Sequence, residues 1–170
     1  MTKIIETERL LIREFNSEDV EFIVALLNTP AWLQFIGDRG VKNIEDAKSY
    51  LLNGHMESYR VNGFGLWMVE LKDGSVPIGM CGLIKRDVLD DIDIGFAFLP
   101  QYTGKGYGYE AAATTMAYAK KPLGLTRIVA ITDPVNIHSI SLLKKLGMEF
   151  EKMVAPYNEK ELMLFAIEIK

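Results

Sequence analysis

Residues 99–113 read LPQYTGKGYGYEAAA and place three glycines within five residues at the start of a predicted helix. Each glycine inside a helix costs roughly 0.5 to 1 kcal/mol relative to alanine, because its backbone loses more conformational freedom on folding. A strand that ends at Leu99, a loop with bare amides and a helix that begins near Tyr107 suit an anion, because free N–H groups and the helix dipole point the same way. We expect this anion to be a phosphate or a pyrophosphate.

The glycine spacing disfavours two other phosphate-binding loops. The ATP-binding P-loop has the pattern G-x-x-x-x-G-K-[ST], whereas Lys105 is followed here by Gly106, and no glycine lies five residues before Gly104. The dinucleotide fingerprint G-x-G-x-x-G requires glycine at position 109, which is Tyr109. A nucleotide-phosphate enzyme is therefore disfavoured, and binding of ATP is its direct test.

Composition and charge indicate a globular chain without a nucleic-acid or membrane partner. Of its 170 residues, 49% are hydrophobic and 25% are charged, and the formal net charge is -4. A fold of this length buries about 70% of its unfolded surface, so it needs neither a metal nor a disulfide. The acidic balance weighs against nucleic acid, which requires clustered Lys and Arg. No apolar run approaches the ~18 residues of a membrane span.

The cysteine usage and the first residues predict a cytoplasmic location. Cys81 is the single cysteine, and it lies in the apolar run IGMCGLI, where we expect a small buried side chain. The segment MTKIIETERLL lacks the apolar core and the cleavage site of a signal peptide. No composition break divides the chain, so we expect one domain over residues 1–170.

The hydrophobic pattern predicts the order strand, helix, helix, three strands, helix, strand, helix and two strands. The strands are expected at residues 9–15, 64–71, 77–85, 92–99, 127–132, 149–157 and 161–169. The helices are expected within residues 16–30 with a stop at Pro30, at 44–59 after an Asn43 cap, at 107–121 and at 137–147. The three central strands form an antiparallel meander, whereas RIVAIT is apolar throughout and suits a parallel partner of strand 92–99. Strand 161–169 is expected at a sheet edge, where it could pair with a second copy, so we expect a monomer or a homodimer.

The segment GKGYGYEAA, which follows a strand and LPQY, resembles motif A of the GNAT superfamily of N-acetyltransferases, whose pattern is [QR]-x-x-G-x-[GA]. The pattern falls on Thr103 to Gly108, with Gly106 and Gly108 at the glycine positions and Thr103 in place of Gln or Arg. The segments ETERLLIREF, PIGMCGLI, DIGFAFLP and NIHSISLLKKLGMEF resemble the subgroup that includes the ribosomal-protein alanine N-acetyltransferases. The resemblance implies a mixed α/β fold, in which helices flank a mostly antiparallel sheet whose central parallel strands splay apart.

The same resemblance implies that acetyl-CoA, with no metal, binds in the wedge between strands 92–99 and 127–132. Its pantetheine arm would pair with the main chain of Phe96, Ala97 and Phe98 as an added strand does. Asn136 would also bond this arm. The pyrophosphate would lie on the loop and first helical turn formed by Thr103, Gly104, Lys105, Gly106, Tyr107 and Gly108.

Attack of an amine on a thioester benefits from a base, because a primary amine with a pKa of about 10.4 holds its proton at pH 7. Asp93, just before the splayed segment, is the candidate. Its acidic neighbours also suit a solvated turn, and these neighbours are Asp87, Asp90 and Asp91. His138 is an alternative base, although a histidine in the first turn of a helix more often lies on the surface. Glu110 is most simply a favourable charge at a helix start.

Ser139 is the candidate that protonates the departing thiolate. Many GNAT enzymes use a tyrosine seven residues after the motif asparagine, and this position is Leu143 here. The resembling subgroup carries serine three residues after that asparagine, as Ser139 stands after Asn136. Both Asn136 and Ser139 also suit helix caps.

The leading functional hypothesis is transfer of an acetyl group from acetyl-CoA to a primary amine by direct attack in a ternary complex. The alternative is a CoA-binding module or sensor with little catalysis. The acceptor stays open among a protein amino terminus, a free amino acid, a polyamine and an antibiotic amine. Aromatic residues predicted near the acceptor groove suit either the core or an acceptor with an apolar portion, and they are Trp32, Phe35, Tyr59, Phe64 and Trp67.

Overall fold

The computed structural model of this protein describes residues 2–169. The strands are β1 (Lys3–Glu6), β2 (Leu10–Arg13), β3 (Leu66–Leu71), β4 (Val76–Ile84), β5 (Asp93–Phe98), β6 (Arg127–Thr132), β7 (Glu149–Val154) and β8 (Leu162–Glu168). The helices are α1 (Val20–Leu27), α2 (Pro30–Phe35), α3 (Ile44–Tyr50), α4 (Met56–Asn62), α5 (Tyr107–Lys120) and α6 (Ile137–Lys145). A π-helical turn, Leu51–His55, joins α3 to α4, and a 3-10 turn, Pro100–Tyr102, follows β5.

The strands within residues 2–169 form one mixed sheet in the order β1-β2-β3-β4-β5-β6-β8-β7. β5 and β6 run parallel, whereas the other neighbouring strands are antiparallel. The β5–β6 pairing is confined to Asp93 and Val129, so the two strands separate beyond this point. The mixed sheet with splayed central parallel strands, predicted from the sequence, is thereby confirmed.

The sheet buries a separate hydrophobic cluster on each face. On one face, α5 and α6 pack their small and apolar side chains, such as Ala111, Ala112 and Leu143, against the strands. On the other face, α1, α2 and α3 cover Met68 and Met80. Alternation along a strand sends successive side chains into opposite clusters. β5 follows this rule, because Phe96 packs with the first cluster and Ala97 with the second.

Two elements were not predicted, and one strand was predicted in the wrong place in the sheet. α1 ends at Leu27, before Pro30, as predicted, but Pro30 also occupies the first position of the unpredicted helix α2, where its missing N–H has no helical partner to lose. The charged start of the chain contains β1, which pairs with β2 and forms an edge of the sheet. The strand predicted at a sheet edge, β8, lies between β6 and β7 instead, and β7 takes the edge.

Several local predictions are confirmed. Asn43 caps α3 by accepting a hydrogen bond from the Asp46 amide at 2.9 Å. Cys81 is fully buried. Of the aromatic residues considered for the acceptor groove, those that the structure buries are Trp32, Phe64 and Trp67. None of the helices within residues 2–169 is both long and apolar enough to cross a membrane.

Candidate active site

The wedge between β5 and β6 exposes main-chain groups of alternate β5 residues. The Leu99 amide donates to the carbonyl of Ile78 in β4 at 2.9 Å. The amide of Val129 in β6 donates to the Ile92 carbonyl at 3.1 Å. Because hydrogen-bonding direction alternates along a strand, odd-numbered residues face β4 and even-numbered residues face β6. Past Asp93, the even-numbered residues that find no β6 partner are Ile94, Phe96 and Phe98. Ala97 is expected from the sequence, like Phe96 and Phe98, to pair with the pantetheine arm. Its main-chain groups are directed toward β4 instead.

The loop between β5 and α5 presents a run of free amides. Gly104 and Gly106 have φ angles of 73° and 84°, a region that residues with a Cβ atom rarely adopt. Within residues 2–169, the amides from Gly104 to Gly108 donate to no protein acceptor. A Cβ atom at Gly104 would meet nothing within 4 Å, so the space beside this amide is open. Free amides and the positive end of a 14-residue helix together favour an anion.

α5 and α6 begin at the same edge of the sheet and pack against each other. Both helices follow the carboxyl ends of parallel strands, which meet at the same edge of a sheet. A Cβ atom at Gly108 would lie 3.4 Å from Leu142 Cδ2, and the Lys145 ammonium lies 4.3 Å from the centre of the Tyr109 ring. The start of α6 therefore lies at the same sheet edge as the loop of free amides.

Asn136 and Ser139 occupy the start of α6. The Asn136 Oδ1 atom accepts a hydrogen bond from the Ser139 amide at 3.2 Å, which makes Asn136 the N-cap of the helix. The capping bond uses the amide oxygen of the side chain and leaves its NH₂ group as a donor. The Ser139 hydroxyl makes no hydrogen bond with any residue that the structure describes. His138, the alternative base, is exposed on the same turn.

Asp93 lies at the point where β5 and β6 separate, and its side chain is only 2% exposed. Its Oδ1 atom accepts a hydrogen bond from Arg86 Nε at 3.0 Å. Burial raises the pKa of Asp93 to about 6, although Arg86 opposes the shift. Asp93 is therefore buried and paired, and the solvated acidic turn is formed by its neighbours Asp87 and Asp90.

Tyr157 extends this pair toward the loop between β7 and β8. Arg86 Nη1 donates to the Tyr157 hydroxyl at 2.6 Å, so a single guanidinium joins the two residues. In the same loop, Lys160 Nζ lies 2.8 Å from Asp133 Oδ2 and 3.4 Å from the Phe35 carbonyl oxygen. The loop therefore contacts both the end of α2 and the segment after β6.

A surface groove of about 480 Å³ lies on the α3 side of the molecule. Its lining includes Arg39, Tyr50 and His55. Burial raises the pKa of Tyr50, and the positive charges of Arg39 and Arg86 partly offset this effect. Burial also lowers the pKa of His55 to about 4, so this ring is neutral at pH 7.

Arg9, in the turn between β1 and β2, contacts the loop of free amides. Its Nη1 atom donates to the Lys105 carbonyl at 3.1 Å, and its guanidinium lies 4.4 Å from the centre of the Tyr107 ring. Its Nε atom donates to Glu110 Oε2 at 2.7 Å, while Thr7 Oγ1 donates to Glu110 Oε1 at 2.6 Å. Glu110, interpreted from the sequence as a favourable charge at a helix start, is therefore also the partner of two amino-terminal side chains.

Sequence reasoning did not assign a role to Arg9, Arg86 or Tyr157. Arg9 lies in the quoted segment ETERLLIREF, but nothing local connects it to a helix that begins almost 100 residues later. Arg86 lies seven residues before Asp93, at the start of a segment rich in acidic residues. This arrangement was the available signal that Arg86 forms an ion pair with one of these carboxylates. Among residues 2–169, no group of three or more His, Cys, Asp or Glu side chains is arranged to hold a metal ion.

Comparison with known proteins identifies the family. Residues 9–149 match the family model described as the acetyltransferase (GNAT) domain. The uncharacterized N-acetyltransferase YnaD of Bacillus subtilis (strain 168) is 33% identical over 159 residues, which cover 91% of this chain and 90% of that protein.

Solved structures show the same fold. A GNAT-family acetyltransferase from Bacillus anthracis is 28% identical, with a TM-score of 0.79 over 96% of this chain and 97% of that chain. RimL, a ribosomal L7/L12 alpha-N-protein acetyltransferase solved with coenzyme A, shares the fold at 14% identity, with a TM-score of 0.83 over 98% of each chain. The chain therefore belongs to the GNAT family of acetyl-CoA-dependent N-acetyltransferases.

Proposed function

We propose that this chain, as a single N-acetyltransferase domain over residues 1–170, transfers the acetyl group of acetyl-CoA to a primary amine. The amine, of a protein amino terminus or a small molecule, attacks directly within a ternary complex. The observation that carries this proposal is the separation of β5 from β6 beside the free amides from Gly104 to Gly108. One opening thus offers strand-like pairing for an amide-containing arm and an anion site for its phosphates.

The described residues fit acetyl-CoA, which supplies an acetyl group activated as a thioester. The main chains of Phe96 and Phe98 would pair with the pantetheine amides, and the Asn136 NH₂ group is a further donor for this arm. The amides from Gly104 to Gly108 would hold the pyrophosphate, with Thr103 at the entrance of the loop. A wedge-facing amide of β5 would donate to the thioester carbonyl as negative charge develops on its oxygen.

Asp93 is the proposed general base. With a pKa of about 6, its carboxyl group is mostly ionised at pH 7 and still basic enough to accept a proton from an ammonium group, directly or through water. Arg86 fixes the carboxylate and compensates its charge in a buried position. Ser139 is the proposed donor for the thiolate, because its hydroxyl lies at the start of α6 without another partner among residues 2–169.

The groove beside Arg39 and Tyr50 is the proposed binding site of the acceptor. This proposal is supported by the positive charge of Arg86, the partner of the proposed base Asp93, which acts on the pKa of Tyr50 in the lining of the groove. A protein amino terminus stays among the acceptors because RimL, which shares this fold, acetylates such a group. We also propose a cytoplasmic location, supported by the unpaired and buried Cys81.

Release of free thiol from acetyl-CoA, measured with a panel of amines and peptide amino termini, tests this function. We expect turnover that depends on the acceptor and yields an acetylated amine by mass spectrometry. Tight binding of acetyl-CoA without turnover on any acceptor would favour the CoA-binding module instead. Many family members carry a catalytic tyrosine at the position of the buried Leu143. The missing tyrosine is the reason to test for a CoA-binding module with little catalysis.

A further inference from the structure

The motif of the phosphate loop lacks the side chain that its first position usually supplies. Thr103 replaces Gln or Arg there, and its hydroxyl donates to the Pro100 carbonyl at 2.7 Å. A hydroxyl has one proton, so Thr103 has no second donor for a phosphate. The Lys105 ammonium lies 5.9 Å from the centre of the Tyr102 ring. The loop itself therefore holds one cation, and this cation is directed toward a neighbouring ring.

Arg9 places a second cation at the same loop. A Cβ atom on Gly106 would lie 3.2 Å from Arg9 Nη2, so this nitrogen is close to the main chain of Gly106. Within residues 2–169, Nη2 makes no hydrogen bond, whereas Nε and Nη1 bind Glu110 and the Lys105 carbonyl. The Arg9 side chain is 42% exposed. Its remaining N–H groups are therefore free to bind a ligand on the loop.

Glu110 holds this guanidinium in place. Its carboxylate accepts hydrogen bonds from Thr7 Oγ1, the Arg9 amide and Arg9 Nε. Burial raises the pKa of Glu110, but these hydrogen bonds outweigh burial, and the net pKa lies below the usual range. The carboxylate is therefore ionised at neutral pH. A preorganised guanidinium loses little side-chain entropy when it binds a phosphate oxygen.

We propose that Arg9 binds the pyrophosphate of the acyl donor and replaces the side chain that the motif lacks at Thr103. This inference rests on the proposed function, because it requires CoA to bind at the loop. It assigns to the turn between β1 and β2 a part in selecting phosphorylated donors. Arg9 takes no part in the acetyl transfer itself.

Two donors separate this role from a structural one. Acetyl-CoA carries the pyrophosphate, whereas S-acetylpantetheine has the same thioester and arm without it. We expect Arg9→Ala to raise the KM for acetyl-CoA about tenfold, because a charged hydrogen bond to phosphate is lost, and to leave kcat nearly unchanged. The kcat/KM with S-acetylpantetheine should stay within about twofold of the wild-type value, because this donor has no group for Arg9 to bind.

Arg9→Lys and Arg60→Ala complete the comparison. Lysine keeps the charge but not the planar fork, so we expect partial recovery of the KM for acetyl-CoA. Arg60 is an exposed arginine of α4 paired with Glu57. Arg60→Ala should leave the kcat/KM unchanged with both donors. If Arg9→Ala fails to fold, Arg9→Gln keeps a donor for Glu110 without the charge and takes its place.

The outcomes distinguish a failure of this inference from a failure of the proposed acetyltransferase function. If the wild-type protein neither binds CoA nor uses acetyl-CoA, the proposed function fails. If the wild-type protein is active and the Arg9 variants lose kcat/KM equally with both donors, Arg9 merely holds the fold and the inference is overturned. A loss confined to acetyl-CoA supports it.

Discussion

Asp93 combines deep burial with a charged partner, and these two effects act on its pKa in opposite directions. Burial dominates and raises the pKa to about 6, while Arg86 keeps the ionised form accessible. A carboxyl group with this pKa is protonated at pH 5 and mostly ionised at pH 7. The residue is therefore suited to accept a proton at neutral pH, which an exposed aspartate with a pKa near 4 does less well.

Asp93→Asn should lower kcat by about 100-fold or more, because general-base catalysis typically contributes this much. In the wild-type protein, kcat/KM should rise as the pH increases through about 6, since the active form is the carboxylate. This limb of the pH profile should vanish in Asp93→Asn. Steady-state kinetics from pH 5 to pH 9 measure both effects.

Asp90→Asn is the matched control for this variant. Asp90 belongs to the same acidic segment but is exposed, so the Asp90→Asn substitution should leave kcat and the pH profile unchanged. An acid limb near 6 that persists in a folded Asp93→Asn protein would assign the base to another group.

Ser139→Ala should lower kcat more than it raises the KM for acetyl-CoA. A thiol with a pKa of about 8.5 leaves readily as thiolate, so we expect a loss of only about tenfold. The variant keeps the capping bond, because Asn136 accepts from the main chain of residue 139. Ser141→Ala, an exposed serine of the same helix, is the control. Equal losses in kcat/KM and affinity would give Ser139 a binding role instead.

At the scale of the element, the start of α5 depends on two glycines with different requirements. Gly106 has a φ angle of 84°, and a Cβ atom there would also lie 3.2 Å from Arg9 Nη2. Gly108 lies inside the helix, where a Cβ atom would make ordinary contacts with Leu142 and Phe98 at 3.4 and 3.6 Å. The first glycine is needed for backbone conformation, whereas the second is not.

Gly106→Ala should therefore lower the free energy of unfolding by about 1 to 2 kcal/mol, the cost of a left-handed conformation for a residue with a Cβ atom. It should also weaken CoA binding, because the amides of the loop shift. Gly108→Ala is the matched variant and should retain both stability and affinity. Urea unfolding and calorimetric titration with CoA measure the two quantities, and equal behaviour of the two variants would contradict this account of the loop.

Local sequence signals predicted most elements because each element carries its own periodicity and caps. Asn43 and the glycine before α5 are examples, since their roles depend on the residues next to them. The stop of α1 before Pro30 was predicted, but α2 was not, because a proline that ends one helix can also start the next, and only the following residues decide. The edge position of β7 could not be predicted, because strand order depends on long-range pairing.

At the scale of the whole molecule, the candidate site joins segments that are far apart in the chain. The sequence predicted the glycine loop before α5 and the strand beside it, because a motif carries both. It could not connect Arg9 to Glu110, which lie 101 residues apart, or Arg86 to Tyr157, which lie 71 apart. Charged residues are common on protein surfaces, so composition alone does not indicate which ones meet in the fold.

The central claim is that CoA occupies the wedge between β5 and β6 and the loop before α5. Amide hydrogen exchange by NMR, measured with and without CoA, tests it most directly. We expect new protection at Phe96, at Phe98 and along residues 104–108. We expect little change at Ala97, whose amide already faces β4, and no protection of the loop by NAD. Equal protection of Ala97 and its neighbours, or no protection along residues 104–108 in the presence of bound CoA, would contradict it.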